Sequence, residues 1–201
     1  MLGLPPTTET NKSLPKTLVY RQFALNAQQR DRFDADISRM TIVNVVSPDT
    51  VPAFAAGENV RSFYVLAVSL KRKDYDAKNL VMLARLIPQH LLFVLHYEGE
   101  MQLAVFQEKW FASVWQELSG TLALPFPGLD LDKVWTNLVM HIGDFSLQGE
   151  NTLDEQIRQD EAQAKLRKRI AQVEKRCRQE KQPGRKRELF EYLKQLKQQL
   201  V

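Results

Sequence analysis

The sequence at residues 60–97 reads VRSFYVLAVSLKRKDYDAKNLVMLARLIPQHLLFVLHY, and it predicts a strand, a helix and a second strand. Val60–Leu70 is a long apolar run with β-branched and aromatic residues, typical of a central strand. From Asp76 to Ile87 the apolar residues recur on one helical face, and Pro88 ends the helix. Leu91–Tyr97 is a second apolar run. The helix is long enough to form the crossover between two parallel strands.

The segments around this unit extend the same architecture. Met101–Phe106 follows the turn Glu98-Gly99-Glu100 and predicts a β-hairpin with the preceding strand. We therefore expect an α/β (α+β) domain over residues 1–148, with a mixed central sheet flanked by helices. Its other predicted elements are an extended or irregular segment Leu4–Lys16, a strand Thr41–Val46, helices Thr17–Phe23, Ala27–Met40 (Asn26 as N-cap), Trp110–Leu118 and Asp132–Ile142, and loops Asp49–Asn59 and Gly120–Leu131.

The composition changes after Gly143–Asn151, which predicts a second domain over residues 149–201. Thr152 and Glu155 form a capping-box pattern at the start of a helix that should run to about Gln182. Pro183-Gly184 ends it, and a second helix is predicted from Arg185 onward. Both helices carry an apolar stripe of the same spacing, so we expect an antiparallel helical hairpin with a coiled-coil seam. The stripe residues are Leu166, Ile170, Val173 and Cys177 in the first helix and Leu189, Leu193, Leu196 and Leu200 in the second.

The positive charge of the chain is concentrated in this hairpin. The whole chain has 28 Lys and Arg against 24 Asp and Glu, whereas residues 165–187 have 11 against 2, a local charge of +9. Such a block attracts phosphate groups or an acidic partner surface. Alternatively, these side chains only keep a coiled-coil surface solvated. The candidate nucleic-acid or partner-binding residues are Lys165, Arg167, Lys168, Arg169, Arg176, Arg178, Arg185, Lys186 and Arg187.

A second basic cluster follows the first predicted central strand. Lys71, Arg72 and Lys73 lie at the strand end, where at least one of them faces solvent. Tyr75 beside them can stack on a nucleobase or on a side chain of a partner. These four residues are further candidates for nucleic-acid or partner binding. Asp76 is expected to cap the following helix.

The sequence predicts no catalytic residues, no metal site and no cofactor. Phosphate-loop, dinucleotide-binding and metalloprotease patterns are absent, and one cysteine with three scattered histidines provides no metal-ligand spacing. His96 is interpreted as structural. Asp34 and Asp36 are interpreted as surface partners of arginines on their own helix. No apolar run approaches the ~20 residues needed to span a bilayer, so we expect a cytoplasmic protein without membrane contact.

A metal-dependent nuclease is an alternative that the strand order allows. Nucleases of the restriction-endonuclease superfamily place an acidic residue on one strand and Glu-x-Lys on the next, so that the carboxylates hold Mg²⁺. Here Ser69-Leu70-Lys71 has a serine where the carboxylate is needed, and serine brings no negative charge to the metal. The alternative therefore requires a displaced carboxylate, Asp49 or Glu58, together with Lys71.

Several short motifs follow one another in a specific order. They are Leu14-Pro15-Lys16, Arg32-Phe33-Asp34-Ala35-Asp36-Ile37, Val46-Ser47-Pro48-Asp49-Thr50, Ser69-Leu70-Lys71-Arg72-Lys73-Asp74, Leu86-Ile87-Pro88-Gln89 and Leu91-Leu92-Phe93-Val94-Leu95. The series resembles the bacterial proteins grouped as domain of unknown function 4391, over most of the chain. The resemblance implies a compact bacterial cytoplasmic protein with no established enzymatic activity.

Members of such families tend to be encoded beside helicases and DNA methyltransferases of restriction or phage-defence loci. The resemblance therefore implies a non-catalytic accessory or adaptor protein of a DNA-processing complex. Its expected ligands are DNA or another nucleic acid, a larger helicase or methyltransferase partner, or both. Besides the accessory protein and the nuclease, the third hypothesis is a protein-interaction module that forms a homodimer through its C-terminal helices.

Overall fold

A computed structural model describes residues 2–118 and 126–199 of the chain. Its internal contacts divide the chain into two compact units, Met1–Ser146 and Leu147–Val201. The first unit contains the sheet and the second contains a pair of helices. We call them the α/β unit and the helical pair. Across the described residues, no helix has the length and apolar character needed to cross a membrane.

The α/β unit is built on a mixed sheet, as predicted. The described strands pair in the order β1-β2-β3-β4-β5-β6, with β7 also pairing with β5. β3 and β4 are parallel, whereas the other pairs are antiparallel. The strands are β1 (Glu9–Ser13), β2 (Ile37–Val46), β3 (Phe63–Leu70), β4 (His90–Tyr97), β5 (Glu100–Gln107), β6 (Lys109–Ala112) and β7 (Gln116–Glu117).

Within the described part of the chain, four α-helices accompany the sheet and two form the helical pair. They are α1 (Lys16–Gln22), α2 (Ala27–Asp36), α3 (Ala77–Leu86), α4 (Leu131–Gly143), α5 (Leu153–Gln179) and α6 (Pro183–Gln198). The predicted crossover is confirmed, because α3 connects the two parallel strands. Asp76 caps α3 through the backbone N–H of Lys78, and Asn26 forms a capping box at α2. Both caps satisfy N–H groups that have no partner within their helix.

The main hydrophobic core joins one face of the sheet to α1, α2 and α3. Val19, Phe33 and Leu80 contribute from these helices, and Leu66 and Phe93 contribute from the central strands. On α4, Trp135 is buried with its ring 5.7 Å from that of Phe63. The interface between the sheet and these helices thus buries large apolar side chains. Burial of apolar surface is the main source of stability in such layered folds.

The prediction that α2 runs to Met40 is wrong, because the helix ends at Asp36 and β2 begins at Ile37. Ile37 pairs with Leu70 of β3, and the register shifts between Ile37 and Arg39. In a regular strand, residues three apart face opposite sides of the sheet. Here the irregularity leaves both Ile37 and Met40 buried. A bulged strand can therefore imitate the apolar spacing of a helix.

The predicted helix at Trp110–Leu118 is also wrong, because this segment forms β6 and β7 at the edge of the sheet. Glu108 has a φ of 57° and makes the turn between β5 and β6. The Trp110 ring lies 5.1 Å from that of Phe93, so it packs on the sheet from a strand. Within the segment Leu4–Lys16, predicted as extended or irregular, Glu9–Ser13 forms the edge strand β1. The predicted loop Gly120–Leu131 lies in part outside the described residues, and its last residue begins α4.

The helical pair has its own small core. Ile170 and Val173 of α5 pack with Leu193 and Leu196 of α6, and Leu166 and Leu189 are partly buried against them. The Thr152–Glu155 capping box is present at the start of α5. Cys177 is half-buried with its Sγ atom 3.8 Å from the carbonyl oxygen of Lys186. The C-terminal helical pair is thus confirmed, while Leu200 of the predicted stripe lies outside the described residues.

Candidate functional site

The carboxyl ends of the parallel strands β3 and β4 carry a cluster of polar side chains. Ligands of open α/β sheets commonly bind at such strand ends. The basic turn Lys71–Asp76 follows β3 at this end, and Glu100 begins β5 beside the end of β4. The predicted turn residues therefore lie where the fold commonly places a ligand.

Asp36 is the buried centre of this cluster. Its side chain is only 1% exposed and pairs with the guanidinium of Arg72. It also accepts hydrogen bonds from Asn79 Nδ2 at 2.6 Å and from the backbone N–H of Asp76 at 2.9 Å. The backbone N–H of Lys71 donates to the Asp36 carbonyl oxygen at 2.8 Å. The interpretation of Asp36 as a surface residue is therefore wrong, because the carboxylate faces the β3–α3 turn rather than solvent.

The other turn residues are also engaged within the α/β unit. Lys73 Nζ lies 2.6 Å from a carboxylate oxygen of Glu100 and 5.4 Å from the centre of the Trp115 ring. The Tyr75 hydroxyl donates to Gln102 Oε1 at 2.8 Å, and burial raises the pKa of this hydroxyl. The Lys71 side chain is exposed. Arg72, Lys73 and Tyr75 thus have structural contacts that account for them, and their role in binding stays a prediction.

Asp34 has partners from α1 rather than from arginines of its own helix, so that interpretation is also wrong. Lys16 Nζ lies 2.6 Å from its carboxylate, and the Tyr20 hydroxyl donates to the same oxygen at 2.7 Å. Burial raises the pKa of Asp34, but these hydrogen bonds and the charges of Lys16 and Lys71 outweigh it, so the pKa lies below its usual value. Lys16 also donates to the carbonyl oxygen of Ile37, which ties α1 to the start of β2.

Acid should remove the stabilisation that Asp34 provides. A carboxylate with a lowered folded-state pKa stabilises the fold above its unfolded pKa of about 3.9, and this contribution disappears as the pH falls through the folded pKa. Because the side chain is 42% exposed, we expect less than about 1 kcal/mol. Urea unfolding between pH 7 and pH 2.5 should show a smaller loss of stability in Asp34→Asn than in the wild type. Equal losses would contradict the assignment.

The strand register places the two parts of the alternative nuclease site at opposite ends of the sheet. Val46 pairs with Phe63 and Ile37 pairs with Leu70, so β2 and β3 run past each other in opposite directions. Asp49 follows Val46 and Glu58 precedes Phe63, so both lie at one end of this strand pair. Lys71 follows Leu70 at the other end. The eight residues of β3 separate these ends by roughly 23 Å. The displaced carboxylate proposed for a nuclease is therefore not brought to Lys71.

The side chains beside Ser69 also differ from those of a carboxylate site. Arg39 of β2 and His96 of β4 are its cross-strand partners. Burial lowers the pKa of His96, which favours the neutral imidazole at pH 7. Among the described residues, no three His, Cys, Asp or Glu side chains lie close enough together to hold a metal ion.

A pocket of about 310 Å³ opens on the sheet face that carries His96. Val65, Ala67 and Val94 form its floor, and Leu2 and Leu4 contribute to its wall. This volume is at the lower limit of sites for small molecules. The lining is mostly apolar and includes the polar side chains of Glu9, Thr10, Asn44 and His96.

The nine predicted basic residues of the helical pair are all exposed. Lys165 lies 3.7 Å from Glu161, one turn earlier on α5. The Arg169 guanidinium lies 6.0 Å from the centre of the Tyr192 ring. The basic surface therefore surrounds a small apolar seam and remains accessible along both helices.

The two acidic residues within the basic stretch are already engaged. Glu174 pairs with Lys197, which lies beyond the stretch, at 2.7 Å. Hydrogen bonding to Lys197 and its charge lower the pKa of Glu174. Glu180 accepts a hydrogen bond from the backbone N–H of Gln182 at 2.9 Å in the connection between the helices. The charge of Arg178, a cation of the stretch, also lowers the pKa of Glu174. With both carboxylates counted, residues 165–187 keep a net charge of +9.

The fold and the basic helical pair thus define an α+β protein with a positively charged C-terminal appendage. The chain belongs to the family described as Domain of unknown function (DUF4391), whose match extends over residues 2–200. No curated protein and no solved structure has significant similarity to the chain.

Proposed function

We propose that this protein works in the cytoplasm as an accessory protein of a bacterial DNA-processing, restriction or phage-defence complex, and that its helical pair contacts nucleic acid. The observation that carries this proposal is the exposed basic surface of the helical pair. Eleven cations lie within residues 165–187, against two carboxylates that have partners of their own. A surface of this charge releases counterions from a phosphate backbone, which drives binding at low salt.

The α/β unit is proposed to dock the larger component of the complex. The family likeness suggests a helicase or a DNA methyltransferase as that component. The turn after β3 offers Lys71 at the surface beside side chains whose positions are fixed by Asp36 and Glu100. A rigid polar edge of this kind suits a protein interface, because little side-chain freedom is lost on binding.

A homodimer that pairs two basic helical surfaces receives less support from the charges. Two surfaces of charge +9 repel each other unless anions lie between them. Light scattering at micromolar concentration and moderate salt should therefore give the mass of one 23.3 kDa chain. A mass of two chains under these conditions would favour the homodimer.

Neutralising one face of α5 should weaken nucleic-acid binding. Arg167, Lys168, Lys175 and Arg178 are exposed on α5 and lie outside the seam cluster that contains Ile170 and Val173. The full chain with these four residues changed to Gln should bind a labelled 20-base-pair duplex at least tenfold more weakly at low salt. Each phosphate contact that is lost should also reduce the salt slope by ~0.9. Fluorescence anisotropy at several salt concentrations measures both quantities.

The matched control removes four exposed cations from the α/β unit. Lys12, Arg21, Arg61 and Lys78 are exposed and lie outside the helical pair. Their change to Gln alters the net charge by the same amount. If this control weakens binding as strongly, the effect reflects net charge and the proposed interface is wrong.

A further inference from the structure

Phe190 is exposed in the middle of a basic face of α6. It is 58% exposed. Four cations lie at helical spacings from it: Lys186 and Arg187 four and three residues before it, and Lys194 and Lys197 four and seven residues after it. Residues three or four apart are neighbours on a helix surface, and a residue seven apart lies two turns along the same side. Phe190 therefore has cations on both sides along the helix axis.

A shallow groove places Lys194 and Lys197 beside the ring. The groove has a volume of about 380 Å³ and is lined by Phe190, Leu193, Lys194, Lys197 and Gln198. Lys197 also pairs with Glu174 of α5, which holds its side chain across the groove end. Phe190 is not a member of the seam cluster, so its exposure does not result from loose packing of the core.

The other side of α6 has a different character. Glu188 and Tyr192 line a second groove together with Arg176 and Arg185. There the Tyr192 ring faces Arg169 of α5, so this aromatic side chain already has a cation over its face. The side of α6 that bears Phe190 instead combines an aromatic face with Lys186, Arg187 and Lys194, whereas Lys197 is already paired with Glu174.

We infer that Phe190 is a stacking platform for an unpaired nucleobase, and that the helical pair prefers single-stranded nucleic acid to duplex. This inference rests on the proposed function. A flat aromatic ring between cations matches a strand that alternates bases with phosphates. In a duplex the bases are stacked on each other and cannot reach the ring without unstacking. An apolar protein partner would offer no counter-charges to the exposed Lys186 and Lys194.

The test compares three variants of the full chain on two probes. The probes are fluorescein-labelled dT20 and a 20-base-pair duplex at the same salt concentration. Phe190→Ala should weaken dT20 binding about tenfold and leave duplex binding and the salt slope unchanged. Phe190→Trp should restore dT20 binding, because it keeps an aromatic face. Tyr192→Ala is the matched control, since this exposed aromatic lies two residues away on the other side of α6. It should leave dT20 binding unchanged.

An abasic strand of the same length separates stacking from charge. The wild type should prefer dT20 to the abasic strand about tenfold, and Phe190→Ala should bind the two equally. Phe190→Ala binding dT20 as tightly as the wild type would overturn the stacking inference alone, provided that duplex binding keeps its salt dependence. Equal losses in Phe190→Ala and Tyr192→Ala would also overturn it. If the wild type binds neither probe at low salt, the proposed function fails as well.

Discussion

Replacing Asp36 with Ala is expected to destabilise the α/β unit by about 3 kcal/mol. The buried carboxylate accepts hydrogen bonds from Asn79 and from the backbone of Asp76, and it pairs with Arg72. Removing it leaves the buried Asn79 amide and the part-buried backbone N–H of Asp76 without an acceptor, and a buried donor without a partner costs about 1–3 kcal/mol. Arg72 adds less, because its half-exposed side chain can return to water. Urea unfolding followed by circular dichroism measures the change.

Asp34→Ala provides the matched control for this prediction. It removes the same side chain from the same helix, but its carboxylate is partly exposed and its partners Lys16 and Tyr20 can be solvated. We expect its cost to be about 1 kcal/mol or less. Equal costs for the two variants would mean that burial of Asp36 does not organise the turn after β3. The cost of Asp36→Asn should fall between the costs of Asp36→Ala and Asp34→Ala, because one acceptor oxygen remains.

The Asp36 cluster changes the interpretation of the basic turn. The Asp36 carboxylate, at the end of α2, pairs with Arg72 of this turn and accepts hydrogen bonds from Asn79 of α3 and from the backbone N–H of Asp76. The three contacts fix the backbone between β3 and α3, so the exposed side chain of Lys71 projects from a rigid base. Arg72 is thus better described as a structural tether, whereas Lys71 stays available for a partner.

Elements that depend on local patterns were predictable from the sequence. The β3–α3–β4 crossover follows from apolar runs and helical periodicity within 38 residues. The α5 capping box and the Pro183-Gly184 break are equally local signals. The helical pair was therefore predictable in outline, and so was its basic surface.

Features that depend on distant partners were not predictable. The burial of Asp36 requires Arg72 and Asn79, which lie 36 and 43 residues further along the chain. The turn at Glu108 uses a positive φ without a glycine, so no turn signal marks the β5–β6 connection. Phe190 was not singled out from the sequence, although the predicted stripe already assigns Leu189 to the seam. The structure adds that Phe190 is 58% exposed and lies beside Lys194 and Lys197.

Val173→Asp should unfold the helical pair and abolish nucleic-acid binding. Val173 is 3% exposed within a cluster of four buried side chains, so the substitution places an unpaired carboxylate in a very small core. Burial of an unpaired polar group and the loss of the apolar side chain together cost about 4 kcal/mol or more. Two helices with so small a seam have little stability to lose. Because α5 and α6 contain about half of the described helical residues, circular dichroism at 222 nm should fall by a comparable fraction.

Gln172→Asp is the matched control, because it introduces the same charge at the adjacent, exposed position. It should keep the helical signal and weaken binding only through its single negative charge. Loss of binding in Val173→Asp but not in Gln172→Asp would show that the folded helical pair, and not merely a basic segment, contacts the nucleic acid. If Val173→Asp loses the helical signal but keeps full binding, another part of the chain contacts the nucleic acid. Lys71 at the polar end of the sheet would then be the first residue to neutralise, because it is exposed, whereas Arg72 and Lys73 of the same turn pair with Asp36 and Glu100.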